Sequence, residues 1–144
     1  MQIIREGYYF AAVLFTVAII FSLVSPYLAI LPAVLGVYCI YFFRSPHREI
    51  PSGENIIVSP ADGTVQDIID LERDDFIKAR CKKVVIFLSV FDVHVNRAPI
   101  AGKIKLQKYV CGRFRPAYKD SVGFENERHL IGIENDNLRV TVTQ

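Results

Sequence analysis

"FRSPHREIPSGENIIVSPADGTV", residues 43–65, divides two stretches of opposite character. Upstream, from Tyr8 to Phe43, 36 residues pass without a charge, whereas downstream charges recur every few positions. The dividing stretch holds three prolines, two glycines and a basic cluster, residue types that punctuate rather than extend regular structure. A linker explains its first half. It does not explain Ser59-Pro60-Ala61-Asp62-Gly63, which lies between two runs with strand character.

Toward the N-terminus, Tyr8–Val24 and Tyr27–Phe43 are apolar runs of 17 residues each, broken by Ser25-Pro26. A helix of that length rises roughly 25 Å, slightly short of a hydrocarbon core of about 30 Å. Tyr8, Tyr9, Tyr38 and Tyr41 flank the runs, where a ring with a polar tip suits a membrane interface. Arg5 precedes the first run, and Arg44 and Arg48 follow the second. The positive-inside rule then puts both ends on the cytoplasmic side of the cell membrane, so residues 1–43 read as a helical hairpin. Pro26 fits its turn, and Pro32 either kinks the second helix or marks its start. A cleaved signal peptide does not fit, because the run is too long and lacks a small-residue cleavage site. A soluble buried hairpin is the alternative, but 36 uncharged residues are hard to bury in so small a domain; in a membrane the length suits two full spans, or a re-entrant or interfacial hairpin.

The whole chain has 144 residues, room for one modest domain and an appendage. Its 51% hydrophobic content and mean hydropathy of +0.27 are high for a domain of this size, and the hairpin accounts for the excess. A net charge of +2 with no basic stripe argues against nucleic-acid binding. Cys39, Cys81 and Cys111 are odd in number and widely spaced, with no metal-ligand pattern, so they read as free thiols in a reducing compartment.

Toward the C-terminus, Ile56–Val58, Thr64–Ile69, Val84–Val90, Lys103–Val110, His129–Glu134 and Leu138–Thr143 read as strands, rich in Val and Ile and bounded by turn residues. Asp70–Lys82 is charged and has room for a helical turn or short helix. Asn135-Asp136-Asn137 suits a hairpin turn. The expectation for residues 44–144 is a mainly β, barrel- or sandwich-like soluble domain carrying the site.

Three polar clusters stand out. Asp62 lies in Pro-Ala-Asp-Gly, where a plain turn is the simpler reading. Asp92, His94, Asn96 and Arg97 follow directly on the apolar run Val84–Val90, so a rigid support would present them together. At i, i+2 spacing on a strand, the Asp92 carboxylate would share a face with His94 and could orient the imidazole. Asn126-Glu127-Arg128-His129 leads into another apolar run. A solvated hairpin start is its simpler reading, as a satisfied strand-end histidine is for His94. His47, at the hairpin exit, suits headgroup contact. No Gly-rich phosphate loop, HExxH or GxSxG motif occurs, and Ser59, Ser89 and Ser121 lack a nucleophile setting.

The order of motifs is more specific than any one of them. After the hairpin come Phe42-Phe43-Arg44-Ser45-Pro46, Ser59-Pro60-Ala61-Asp62-Gly63, Phe87-Leu88-Ser89-Val90-Phe91-Asp92-Val93-His94-Val95-Asn96-Arg97-Ala98-Pro99, Gly112-Arg113-Phe114-Arg115-Pro116-Ala117-Tyr118 and Glu125-Asn126-Glu127-Arg128. This resembles the phosphatidylserine decarboxylase family in its short form, which includes archaetidylserine decarboxylases. The resemblance implies a precursor that cleaves itself at a serine, which becomes a pyruvoyl group on a small chain. The pyruvoyl then serves as electron sink for decarboxylation, a role cofactors fill where side chains cannot. It implies Asp62 and His94 as the activating pair with Asp92 beside them, and Asn96, Arg97 and Arg128 as substrate-binding. Longer members carry a second histidine where this sequence has Arg97. No Gly-Ser dipeptide occurs here, so the pyruvoyl serine is expected beyond Gln144 and the chain as most of the large subunit, inactive alone. Implied partners are the phospholipid membrane, the small chain and a second copy in a homodimer. The alternatives are a non-catalytic lipid-binding relative and a membrane-anchored serine hydrolase.

Overall fold

A computed structural model describes residues 2–53, 56–114 and 126–144. They form two compact units: Met1–Glu49 with Ala61–Gly63 and Leu88–Asn96, and Ile50–Pro60 with Thr64–Phe87 and Arg97–Gln144.

The first unit is built on two helices, α1 (Arg5–Ser22) and α2 (Pro26–Phe42). Pro26 is the first residue of α2, where its missing N–H costs no helical bond and its fixed φ starts the turn. Pro32 lies inside α2, so it does not mark the helix start. The short strands β1 (Gln2–Ile3) and β2 (Arg44–Ser45) pair antiparallel at the open end, closing the hairpin opposite its turn. Close packing of the helices depends on small residues. A Cβ on Gly7 would sit 2.6 Å from Phe43 Cβ, and one on Gly36 would sit 2.9 Å from the Phe15 ring. Ala11 and Ala18 are buried on α1, while Leu23, Ile19, Leu31 and Tyr27 are among many exposed apolar side chains. α1 is long and apolar enough to cross a membrane, and α2, at 17 residues, is a slightly shorter apolar helix.

The second unit is antiparallel β. Strands β3 (Thr64–Leu71) and β4 (Cys81–Phe87) form a two-stranded sheet. Strands β5 (Lys103–Val110), β6 (Arg128–Glu134) and β7 (Arg139–Thr143) form a three-stranded one in the order β5-β6-β7. Among the described residues the sheets are open, so what holds is a β-rich antiparallel unit rather than a closed barrel. A bulge in β3 falls between Val65 and Asp67, and one in β5 between Ile104 and Leu106. Extra residues there strengthen the local twist. Asp70 faces Lys82 in the ladder and pairs with it at 2.9 Å. Both are exposed, so the pair favours the register more than it adds stability.

The 72–80 loop contains a single turn, closed by an i→i+4 bond from Lys78 to Asp74, and no short helix. Asp74 organises it, its Oδ1 accepting from the N–H groups of Phe76 and Ile77 and its carbonyl accepting from Lys78. The loop lies on the three-stranded sheet. Thr141 Oγ1 meets Asp74 Oδ1 at 3.2 Å, and the Phe76 ring covers Gly132 so closely that a Cβ there would come within 2.9 Å.

Two expected strands are corrected. Ile56–Val58 forms no strand: Val58 N–H donates to the Pro99 carbonyl and Arg97 N–H to the Pro60 carbonyl, and there the ladder stops. Pro60 and Pro99 accept but have no N–H to return, so pairing cannot propagate. Val84–Val90 stops being a strand at Phe87, whose ladder partner Thr64 is the first residue of β3. With no partner beyond Thr64, Leu88–Asn96 leaves the sheet.

Candidate active site at the hairpin exit

The segment after β4 turns at once. Asp92 N–H donates to the Ser89 carbonyl at 2.8 Å, and Asp92 Oδ2 accepts from Ser89 N–H at 2.7 Å. This reciprocal pair closes a turn over Ser89–Asp92. The expectation that Asp92 and His94 share a strand face is therefore corrected. The Asp92 carboxylate is committed to the turn, and its backbone carbonyl meets His94 Nδ1 at 3.1 Å. A carbonyl only accepts, so this contact places the ring proton on Nδ1 and leaves the lone pair on Nε2. That is the tautomer a histidine needs in order to take a proton from an incoming hydroxyl.

The rest of the loop is held by the end of α2. Tyr38 hydroxyl donates to the Val90 carbonyl at 2.8 Å. Arg44 donates through Nη1 to the Tyr41 carbonyl at 2.8 Å and through Nη2 to the Phe91 carbonyl at 2.9 Å, with its guanidinium 3.7 Å from the Tyr41 ring centroid. The His94 imidazole stacks on Phe42, centroids 4.1 Å apart and planes 21° from parallel. Phe42 is in turn packed edge-on against Phe43 and tilted against Tyr38. Val93 points inward and is buried.

Asp62 belongs to the same unit. Its carboxylate meets Arg48 at 2.6 Å, and the guanidinium's proton affinity rises, first through the hydrogen bond and then through Coulomb attraction. Both groups are partly exposed, so the contact orients the carboxylate more than it stabilises the fold. Asn96, two residues beyond His94, has its Oδ1 shut off from solvent with no hydrogen-bond partner among the described residues. Buried carbonyl oxygens of this kind are rare and mark a place where a donor belongs.

Asp62, Asp92, His94 and Asn96 thus share one compact unit, whereas Arg97 and Arg128 belong to the second. Arg97 follows the loop and ties its backbone to Pro60, and Arg128 starts β6, paired in register with Val110. Residues 115–118 and Glu125, parts of two motifs, and Ser121 lie outside the described residues. A cleft of about 430 Å³ in the second unit is lined by Gly53, Ile56, Ile100, Ala101, Asn135, Asn137 and Leu138, with no titratable side chain and none of the candidate residues. Sequence reading did not give Phe42 or Arg48 a part in the site. Phe42 reads as the end of an apolar run and Arg48 as a topology signal, and nothing local says what each touches.

The first unit thus joins an apolar helical hairpin to segments that carry the Asp62 carboxylate and an imidazole, that of His94, with its proton on Nδ1. Residues 35–144 match a family model described as phosphatidylserine decarboxylase. The phosphatidylserine decarboxylase proenzyme of Carboxydothermus hydrogenoformans is 41% identical over 140 residues, covering 97% of this chain and 66% of the relative. That of Symbiobacterium thermophilum is 42% identical over 143 residues, covering 99% and 66%, and that of Ehrlichia chaffeensis 40% over 144 residues, covering 97% and 63%. The chain belongs to the phosphatidylserine decarboxylase family, a family of carboxy-lyases. It spans just under two-thirds of the length of these relatives.

Proposed function

We propose that the protein to which these residues belong decarboxylates a serine phospholipid, phosphatidylserine or archaetidylserine, after self-cleavage of its precursor at a serine beyond Gln144. The observation that carries this reading is the family match over residues 35–144, which contains both Asp62 and His94.

The residues present fit a pyruvoyl site. The Asn96 Oδ1, buried without a partner among the described residues, would receive an N–H donor such as the substrate amine. When present, the pyruvoyl group supplies the electron sink for loss of the carboxylate. His94 Nε2 takes the proton from the attacking serine hydroxyl and later returns a proton to the decarboxylated carbon, acting first as general base and then as general acid. Asp62 stabilises the imidazolium that forms. Asp92 holds the turn that carries His94, and Arg97 and Arg128 bind the anionic phosphate or carboxylate of the lipid.

Residues 1–43 seat the protein in the cell membrane, and residues 44–144 carry the site on its cytoplasmic side. Both helices are apolar around most of their circumference and largely exposed, which suits a lipid environment better than water. Arg5 at one end and Arg44 and Arg48 at the other keep both ends on the cytoplasmic face. The small pyruvoyl-bearing chain and a second copy of the protein complete the assembly.

The test is to express the full reading frame, supply phosphatidylserine in mixed micelles and follow the ethanolamine phospholipid by mass spectrometry. A product that depends on Asp62 and His94, with borohydride trapping of substrate on the small chain, supports the reading. An intact precursor with no lipid turnover sinks it. Labelling of a serine within residues 1–144 by a fluorophosphonate would favour a hydrolase instead.

A further inference from the structure

The hairpin does more at its exit than end a membrane segment. Within the first unit, four side chains from residues 38–48 reach the segments that carry the two candidate catalytic residues. Phe42 stacks on the His94 ring at 4.1 Å. Tyr38 and Arg44 hold the carbonyls of Val90 and Phe91, the two residues before Asp92. Arg48 holds the Asp62 carboxylate at 2.6 Å.

We propose that the exit of α2 is a positioning device for the Asp62–His94 pair, with Phe42 as the residue that fixes the plane of the His94 imidazole. This deepens the decarboxylase reading and rests on it for its catalytic consequence. The Nδ1 contact to the Asp92 carbonyl fixes one point of the imidazole and leaves the ring free to swing about it. A near-parallel aromatic face removes that freedom and aims Nε2 in one direction. The loop that carries the ring has no ladder beyond Phe87, so its own backbone cannot supply the restraint. Its fixed points beyond the local Ser89–Asp92 turn come from Tyr38 and Arg44, 52 and 47 residues away in sequence. Positioning matters because a displacement of about 1 Å at a reacting group can cost on the order of 100-fold in rate. The hairpin is thereby part of the site.

The experiment compares Phe42→Leu, Phe42→Tyr and Tyr38→Phe in the full-length product, kept in detergent so that membrane targeting plays no part. One readout is the rate of precursor self-cleavage. The other is the proton NMR shift of the His94 ring, which a stacked aromatic moves upfield. Only three histidines occur, so His47→Gln and His129→Gln assign it. Phe42→Leu should lose the upfield shift and slow self-cleavage roughly ten-fold, the rate equivalent of an aromatic pairing of about 1.4 kcal/mol. Phe42→Tyr should restore both. Tyr38→Phe, which removes one hydroxyl and disturbs little else, should slow the reaction a few-fold and weaken the shift. A wild-type rate in Phe42→Leu overturns the proposal, as does a slowed rate in both Phe42 variants with the shift unchanged. A wild-type precursor that never cleaves overturns the decarboxylase reading and the catalytic half of this proposal, while the ring shift still decides the stacking half.

Discussion

The turn at Asn135–Leu138 and the loop at Leu88–Asn96 both follow an apolar strand, and they are held in opposite ways. The turn is held mostly from within, with one bond outward from Asn135 Nδ2 to the Ala101 carbonyl. Asn135 N–H donates to the Leu138 carbonyl, and Asn135 Oδ1 accepts from the N–H groups of Asn137 and Leu138 at 3.0 and 2.8 Å. Its flanking strands β6 and β7 continue the ladder on either side, with Glu134 paired to Arg139. The Leu88–Asn96 loop has a local turn only at Ser89–Asp92. Beyond that it depends on Tyr38, Phe42 and Arg44. The first arrangement yields a rigid corner with no chemistry. The second can hold a histidine away from a ladder, at the cost of depending on distant residues.

The largest expected effect is on the chemistry itself. In the full-length product, His94→Gln and Asp62→Asn should each lower self-cleavage by about 10²–10⁴-fold, the usual worth of a positioned acid–base group. Gel separation of precursor and cleaved chains measures this. Asn135→Ala should leave the rate near wild type, because its bonds go to Ala101, Asn137 and Leu138 and to none of the candidate residues. A substantial loss of activity in Asn135→Ala would mean that the two loops are not independent.

Packing of the hairpin comes next. Gly7→Val places side-chain carbon against Phe43 Cβ, which cannot move without shifting backbone. Overpacking of this kind costs about 1–3 kcal/mol. Thermal denaturation in micelles should show the loss, and self-cleavage should fall with it, because Phe43 adjoins the Phe42 stack. Asn135→Ala, by contrast, should cost about 1–2 kcal/mol of stability through its lost backbone partners. Equilibrium unfolding of the β unit checks that value.

The smallest effect concerns pH. The Tyr109 phenol beside Glu127 is pushed up to about 12, first by the hydrogen bond to that carboxylate and then by burial and charge. A raised folded value means that its contribution to stability is complete below the ordinary value of 10.0 and is lost as pH climbs toward 12. Glu127→Gln should bring the phenol back toward 10.0, seen as an earlier step in an ultraviolet alkaline titration and absent in Tyr109→Phe.

Much of the architecture was legible in the residues. The uncharged run from Tyr8 to Phe43, with Ser25-Pro26 inside it, determined a helical hairpin, because 36 residues without charge and one proline-marked turn leave few other solutions. Alternation of Val and Ile determined most of the strands, and Asn135 determined its own turn. These features depend on neighbours in sequence. Only the tertiary structure decided where β4 ends, since a strand stops where its partner does. It also decided that Asp92 offers His94 a carbonyl instead of a carboxylate, that Phe42 lies under the imidazole, and that Arg48 reaches Asp62. The Phe42 and Arg48 contacts depend on where a separate segment lies, and the Asp92 contact on the chain having left the ladder at Phe87. Local propensity and periodicity carry no information about that.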